Sequence, residues 1–212
     1  NTADEIAVEE PLEIRVAGEP VAITMRTPGS DTELVAGLLL SEGIITSLGD
    51  VSRIYHCGRP GTEAYHNTVD VIPAAGHALD VADITTSKRG TLTTAACGVC
   101  GRKSIDDLIE RCQPFGDVGS LEASQLLGGV ESLRDQQPTF DKTGGVHAAG
   151  IFSDSGELLV CREDIGRHNA VDKAVGTLLY QDAWPAEAQL LAVSGRASFE
   201  MVQKAAMARL PF

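Results

Sequence analysis

Positive charge is scarce in this chain. Thirty Asp and Glu outnumber 17 Lys and Arg, giving a formal net charge of −13 and a pI near 4.7. A phosphate backbone is repelled by such a molecule at long range, so nucleic acid is not an expected partner. Long apolar runs are also missing, with none near the ~18 residues of a membrane span. The acidic start (Asp4, Glu5, Glu9, Glu10) is the reverse of a signal peptide. Cysteine forms no framework: five residues, an odd number, argue for a reducing compartment. These absences place the chain, as an expectation, in the cytosol and away from membranes. A 43% hydrophobic share over 212 residues is enough for a real core.

Against that background one pair of residues stands out. Cys97 and Cys100 lie two residues apart in Thr94-Ala95-Ala96-Cys97-Gly98-Val99-Cys100-Gly101. A thiol is nucleophilic only as the thiolate, and nearby cations or a helix start lower its pKa from ~8.5 toward roughly 3.5–7.5. Arg102 and Lys103 follow directly, and Ser104-Ile105-Asp106-Asp107 reads as a capping box opening a helix to about Arg111. The Thr-rich stretch from Ile84 to Ala96 has no apolar period, which predicts a long exposed loop. Three readings of the pair stand, in this order: a reactive or sulfur-handling pair, a disulfide redox pair and a zinc half-site. Zinc needs two further ligands at knuckle spacing, and no second CxxC or HxxxH supplies them. A thioredoxin-type pair has aromatic flanks, where this one has Thr-Thr-Ala-Ala.

Alternation over 12–16 and 21–25, punctuated by Gly18 and Pro20, predicts an N-terminal hairpin. Ser30 and Glu33 suggest a capping box for a helix with Leu34, Val35, Leu38 and Leu39 inward and Gly43 closing it. Strands are expected at Val51–Cys57 and Thr68–Ile72. Helical segments near 121–127 and 130–136 are expected to break at Gly128-Gly129 and stop before Pro138. Val146–Phe152 and Glu157–Cys161 read as a hairpin turned by Ser153-Asp154-Ser155-Gly156. From His168, apolar residues at 170, 171, 174, 175, 178 and 179 form a helical stripe, with Asn169 and Lys173 on another face. A short buried strand at Gln189–Val193 and a helix at Ser198–Arg209 follow, and a further strand is expected to begin at Leu210-Pro211-Phe212. The fold class is α/β, a mixed sheet covered by helices, in a single domain over 1–212 with a small β-rich portion at about 1–80.

Two strand-to-helix loops carry polar residues that packing alone does not require. One is Cys161-Arg162-Glu163-Asp164-Ile165-Gly166-Arg167-His168-Asn169, and the other is Ser194-Gly195-Arg196-Ala197-Ser198. Helix starts beside Arg and Gly are natural anion sites, so the loops point to a phosphate or nucleotide pocket. Thr143-Gly144-Gly145-Val146-His147-Ala148 is a third candidate wall. The plainer reading pairs these cations with Glu163, Asp164 and Asp172 on a solvated face, and makes His147 a hydrogen-bonded core histidine.

Several blocks carry a family resemblance: Ala96-Cys97-Gly98-Val99-Cys100-Gly101, Thr143-Gly144-Gly145-Val146-His147, Arg162 through Lys173, Ser194-Gly195-Arg196 and Leu39 through Ile45. Together they resemble the FdhD family of formate dehydrogenase accessory sulfurtransferases, and they occur in the family's order. The resemblance implies a cytidine deaminase-like fold, a dimer, and a sulfurtransferase activity. Sulfane sulfur from a cysteine desulfurase would pass to the molybdenum (or tungsten) bis-guanine dinucleotide cofactor destined for formate dehydrogenase. It also implies that Cys97 bears the persulfide and that Cys100 is its partner. Arg162, Arg167, His168, Asn169, Lys173, Ser194, Gly195 and Arg196 would hold the cofactor's phosphates, with GDP as a partial mimic and no structural metal. Family members continue past Phe212, so a native C-terminal part is expected beyond it. The deaminase ligands themselves, HxE and then PCxxC, are missing. A cofactor chaperone without sulfur transfer and a zinc-dependent deaminase-like hydrolase are the competing classes.

Overall fold

A computed structural model describes residues 4–81, 112, 114–182 and 188–212. The expected loop from Ile84 to Ala96, the Cys97/Cys100 pair, Arg102, Lys103 and the helix at 105–111 lie outside the described residues.

The amino-terminal hairpin forms as β1 (Glu10–Val16) and β2 (Glu19–Arg26), joined through Ala17 and Gly18, both at positive φ. Its alternation buries Leu12, Ile14 and Val16. Helix α1 (Asp31–Ser41) follows, then β3 (Val51–His56), a short helix α2 (Glu63–Asn67) and β4 (Thr68–Pro73). These strands make a four-stranded sheet in the order β2-β1-β4-β3, with β1 and β4 parallel and the other pairs antiparallel. Helices α3 (Ala123–Asp135) and α4 (Pro138–Thr143) precede β5 (His147–Ser153) and β6 (Leu158–Asp164). Helix α5 (Arg167–Tyr180), β7 (Ala188–Val193) and α6 (Phe199–Met207) complete the described chain. The second sheet is β6-β5-β7, antiparallel throughout. Phe212 exchanges two backbone hydrogen bonds with β7, at Gln189 and Leu191.

The mixed α/β class is as expected, but the sheet is split in two. Helices α1 and α5 lie between the halves, and one core cluster runs through all of them. It joins Leu12, Ile14, Val69 and Val71 of the first sheet to Leu34, Leu39, Val171 and Leu178 of the helices, and then to Ile151 and Val160 of the second sheet. Two glycines set the helix spacing. A Cβ on Gly37 would run into the Asp172 carbonyl, and one on Gly176 into that of Glu33. Backbone meets backbone where the helices cross, which only glycine permits. On the far face of the second sheet, Leu133 of α3 packs on Phe152 and Leu190.

Some local expectations are corrected or extended. Ser30 adopts left-handed φ 52 and ψ 38 and makes no side-chain cap. A capping box needs an extended residue there; Glu33 is instead held by the Thr32 hydroxyl at 2.9 Å. Gly128-Gly129 does not interrupt α3, because Gly129 is buried and faces Leu190 and Phe152, with Leu190 Cδ2 3.3 Å from where a Cβ would sit. Packing there outweighs the ~1 kcal/mol propensity cost of a helical glycine. Pro138 starts α4 rather than merely ending α3, being suited to a first helical position. Helix α5 differs most from expectation. Residues Asn169 to Leu179 are all buried, so Asn169 and Lys173 have no solvent face to occupy.

Candidate functional site

A polar group buried in a helix between two layers must find an internal partner. Asp164, at the end of β6 and 0% exposed, supplies most of them. Its Oδ1 accepts from the Gly166 amide (2.8 Å) and Asn169 Nδ2 (3.0 Å), and its Oδ2 from the Thr27 amide (3.1 Å). Lys173 Nζ reaches Oδ2 at 2.7 Å and also donates to the Thr27 carbonyl at 2.7 Å. Asn169 Nδ2 donates to the Met25 carbonyl as well, and the Ile165 amide to Thr27 Oγ1. One carboxylate therefore ties the β6–α5 loop and the first turns of α5 to the end of β2. The second buried acid, Asp172, takes Lys204 Nζ on both oxygens at 2.7 Å and the Ser41 hydroxyl at 2.9 Å. Burial pushes the Asp172 carboxyl up, and Lys204 and then Ser41 oppose that shift. Glu163 accepts the Thr139 and Phe140 amides at 2.8 Å each, capping α4.

The solvated face of paired charges is thus replaced by buried pairs. Asn169 and Lys173, expected to touch a ligand, are engaged within the protein instead. Arg162 also departs from the expected cluster. It lies within β6 rather than in the loop after it, beside a cleft that runs along that strand.

The remaining candidates do meet. The Ala148 amide donates to Ser194 Oγ and the Ser194 amide to the Ala148 carbonyl, both at 2.9 Å. This pins the Ser194-Gly195-Arg196 turn against the start of β5, next to His147. A Cβ on Gly195 would stand 3.2 Å from Arg167 Cδ and 3.5 Å from His147 Nδ1. Three segments far apart in sequence converge there, and a side chain at 195 would crowd them. His147 is half-buried at the head of its strand.

Two helix starts belong to the same region. Gly166 and Ser198 are the N-caps of α5 and α6, and neither end has a side-chain cap. Arg167 Nε and Ser198 Oγ are shielded from water and, among the described residues, have no hydrogen-bond partner. Arg196 is exposed on the turn. Such donors, with the positive ends of two helix dipoles, favour an anion. His168 Nε2 lies 2.6 Å from Glu200 Oε2, off the line of a hydrogen bond, and links the first turns of the two helices. Burial lowers the His168 pKa; Glu200 opposes this, while Arg167 and Lys204 reinforce it. Glu200 escaped sequence reasoning, and Asp164 entered it only as a partner of cations on a solvated face, not as a buried hub. Both act across large separations that leave no local period, although the helix-start position of Glu200 was visible.

The described cysteines behave differently from an activated pair. Cys57, Cys112 and Cys161 are free thiols, and Cys112 Sγ contacts Met207 Sδ at 4.0 Å. Burial, helped by Glu163, pushes the Cys161 thiol up to about 11, against a smaller opposing pull from Arg162.

Residues 7–212 match the FdhD/NarQ family model. The chain is 50% identical to the sulfur carrier protein FdhD of Anaeromyxobacter dehalogenans strain 2CP-1, over 98% of this chain and 74% of that relative. It is 48% identical to the protein of that name from Mycobacterium tuberculosis strain H37Rv, over 97% of this chain and 76% of the relative. The fold matches a crystal structure from Desulfotalea psychrophila, described as that of a candidate formate dehydrogenase accessory protein, with TM-score 0.70 at 22% identity. That match covers 99% of this chain and 74% of the other. No helix among the described residues is long and apolar enough to cross a membrane. The chain belongs to the FdhD/NarQ family.

Proposed function

We infer that the chain is a sulfur carrier serving formate dehydrogenase, a cytosolic sulfurtransferase that works as a homodimer. Its relatives carry the sulfur-carrier name at about half identity across nearly the whole chain. The structural observation that supports the reading most is the meeting of Arg167, the Ser194–Arg196 turn and two uncapped helix starts, with Arg167 Nε and Ser198 Oγ lacking partners among the described residues. A guanine dinucleotide cargo has phosphates that suit these donors. Arg167, Arg196, Ser194 and the Gly195 backbone are its proposed contacts, and His168 follows Arg167 in the same helix start, with Nε2 against Glu200. Asn169 and Lys173 contribute indirectly by holding the loop to Asp164.

The proposed chemistry resides on Cys97. Its thiolate attacks the terminal sulfur of a desulfurase persulfide, and the desulfurase cysteine leaves as thiolate. This gives Cys97–S–SH with no net change in oxidation. The Cys100 thiolate then attacks the bridging sulfur, expelling hydrosulfide toward the molybdenum or tungsten cargo and leaving a Cys97–Cys100 disulfide. The two electrons gained by the sulfane sulfur are those lost by the two cysteine sulfurs.

Intact mass after incubation with a cysteine desulfurase and cysteine tests this. A gain of one sulfur, about 32 Da, that maps to Cys97 and is lost in Cys97→Ser is the expected result. No gain in the wild-type chain would leave a cofactor-binding chaperone and remove the carrier role.

A further inference from the structure

Among the described residues strand β6 is an edge: in the order β6-β5-β7 it pairs with β5 alone. The direction of its unpaired groups follows from the ladder. Ala148 spends its amide and carbonyl on Ser194, on the β7 side. By antiparallel alternation Ala149 and Ile151 bond toward β6, where Arg162 and Val160 stand opposite them. The amides and carbonyls of Cys161 and Glu163 therefore face away from the sheet. Among the described residues the outward Cys161 carbonyl is met only by Arg162 Nη1 of its own strand, at 2.8 Å.

A cleft of about 590 Å³ follows this edge and is lined by every residue from Leu158 to Glu163. Thr27–Ser30 form part of one wall, and Gln136, Pro138 and Thr139 the other. It straddles both faces of the strand. Arg162 points to the α5 side with Lys173, whereas Cys161 points to the α3 side, where its thiol donates to the Gln136 carbonyl at 3.4 Å. Exposed edges are normally blunted or paired, and a slot beside one has the shape of a site for an added strand.

Charge selects the occupant. Lys173 is matched by Asp164, and Glu163 by the α4 amides. Arg162 meets no carboxylate among the described residues, and its Nε is shielded without a partner. A second copy's β6 carries the same two walls and cannot enter a slot between them, which leaves a single free segment. We propose that the β6 cleft docks an extended acidic peptide segment of a partner protein. The segment pairs with the outward backbone of Cys161 and Glu163 and sets an Asp or Glu carboxylate on Arg162. This role is separate from the proposed cargo site and does not depend on it.

Fluorescein-labelled, end-blocked hexapeptides of alternating Val and Thr test the proposal, with Glu, Gln or Lys at the fourth position. Anisotropy with the whole chain should show the Glu peptide binding about tenfold tighter than the Gln peptide, with Lys weakest, as a charge-assisted pair implies. Arg162→Gln should remove the Glu-over-Gln preference. Alternate N-methylation of the Glu peptide, which needs no protein variant, should abolish binding, and the unmodified Glu peptide should slow hydrogen exchange at the Cys161 and Glu163 amides. Equal binding of the three peptides, an intact preference in Arg162→Gln, or unchanged exchange at those amides would overturn the proposal. So would displacement of the Glu peptide by GDP, which would assign the cleft to the cargo, or a dimer that dissociates in Arg162→Gln, which would assign it to a second copy.

Discussion

Between Arg162 and Lys173 the chain carries charges of two kinds, and the contrast between them separates support from function. Asp164, Asp172 and Lys173 are buried and matched, with Asp164 taking Lys173, Asn169 and two backbone amides, and Asp172 taking Lys204 and Ser41. Arg162 and Arg167 lie in the same stretch, yet each has a shielded Nε without a partner among the described residues. Folding needs the first group matched, since an unpaired buried charge is costly. It gains nothing evident from the second, whose unused donors face a cleft and a pair of helix starts.

The contrast is broken most forcefully at Asp164. Asp164→Ala should cost about 3–5 kcal/mol, because it strands the Lys173 ammonium in the interior, and denaturant midpoints should show it. Adding Lys173→Met should recover part of the loss. A cost below ~1 kcal/mol would mean that the hub does not hold the loop. Arg167→Ala and Arg196→Ala should act in the opposite sense, leaving stability within about 1 kcal/mol while weakening GDP binding roughly tenfold each. A stability loss at Arg167 as large as that at Asp164 would erase the distinction.

A smaller effect is expected at His168. Its pKa is depressed in the folded state, so the unfolded chain binds more protons below the ordinary value near 6.5. Stability should therefore fall as pH drops through about 6.5 and level off below the folded pKa. Titrating the denaturation midpoint in wild type and His168→Gln checks this, since the variant should lose that component. The smallest expected signal is at Cys161. With its thiol pushed up to about 11, it should resist iodoacetamide at pH 8 on a timescale that labels an activated thiol. Rapid peptide-mapped labelling there would contradict an inert, half-buried thiol.

Sequence reading captured what has a local period. The β1–β2 hairpin, β3 and β4, the β5–β6 hairpin, α5 and β7 all follow from alternation, helical spacing or turn residues. The helical character of α3 and its end before Pro138 follow too, but its continuity does not, because the signal of Gly128-Gly129 is overridden by tertiary packing of Gly129 on Leu190 and Phe152. The helix pair between two sheets was hidden for a related reason, since Gly37 and Gly176 act through backbone contacts with residues far away in sequence. At the site, the convergence of the Gly195 turn with Arg167 and His147 was anticipated from strand-to-helix loops. The inward turn of Lys173 and Asn169 was not. Their partner Asp164 binds Thr27 across 137 residues, and no spacing along the chain encodes that contact.

Arg167 and the exposed Arg196, beside the two helix starts, are the groups proposed to hold the phosphates of a guanine nucleotide cargo. Calorimetric titration of GDP at pH 7 into the wild-type chain and into the Arg167→Ala/Arg196→Ala double variant tests this most directly. Wild-type binding should weaken as salt is added, and the double variant should lose the heat of binding while keeping its melting temperature. Equal affinity in the two proteins, or no heat from the wild type, would contradict it.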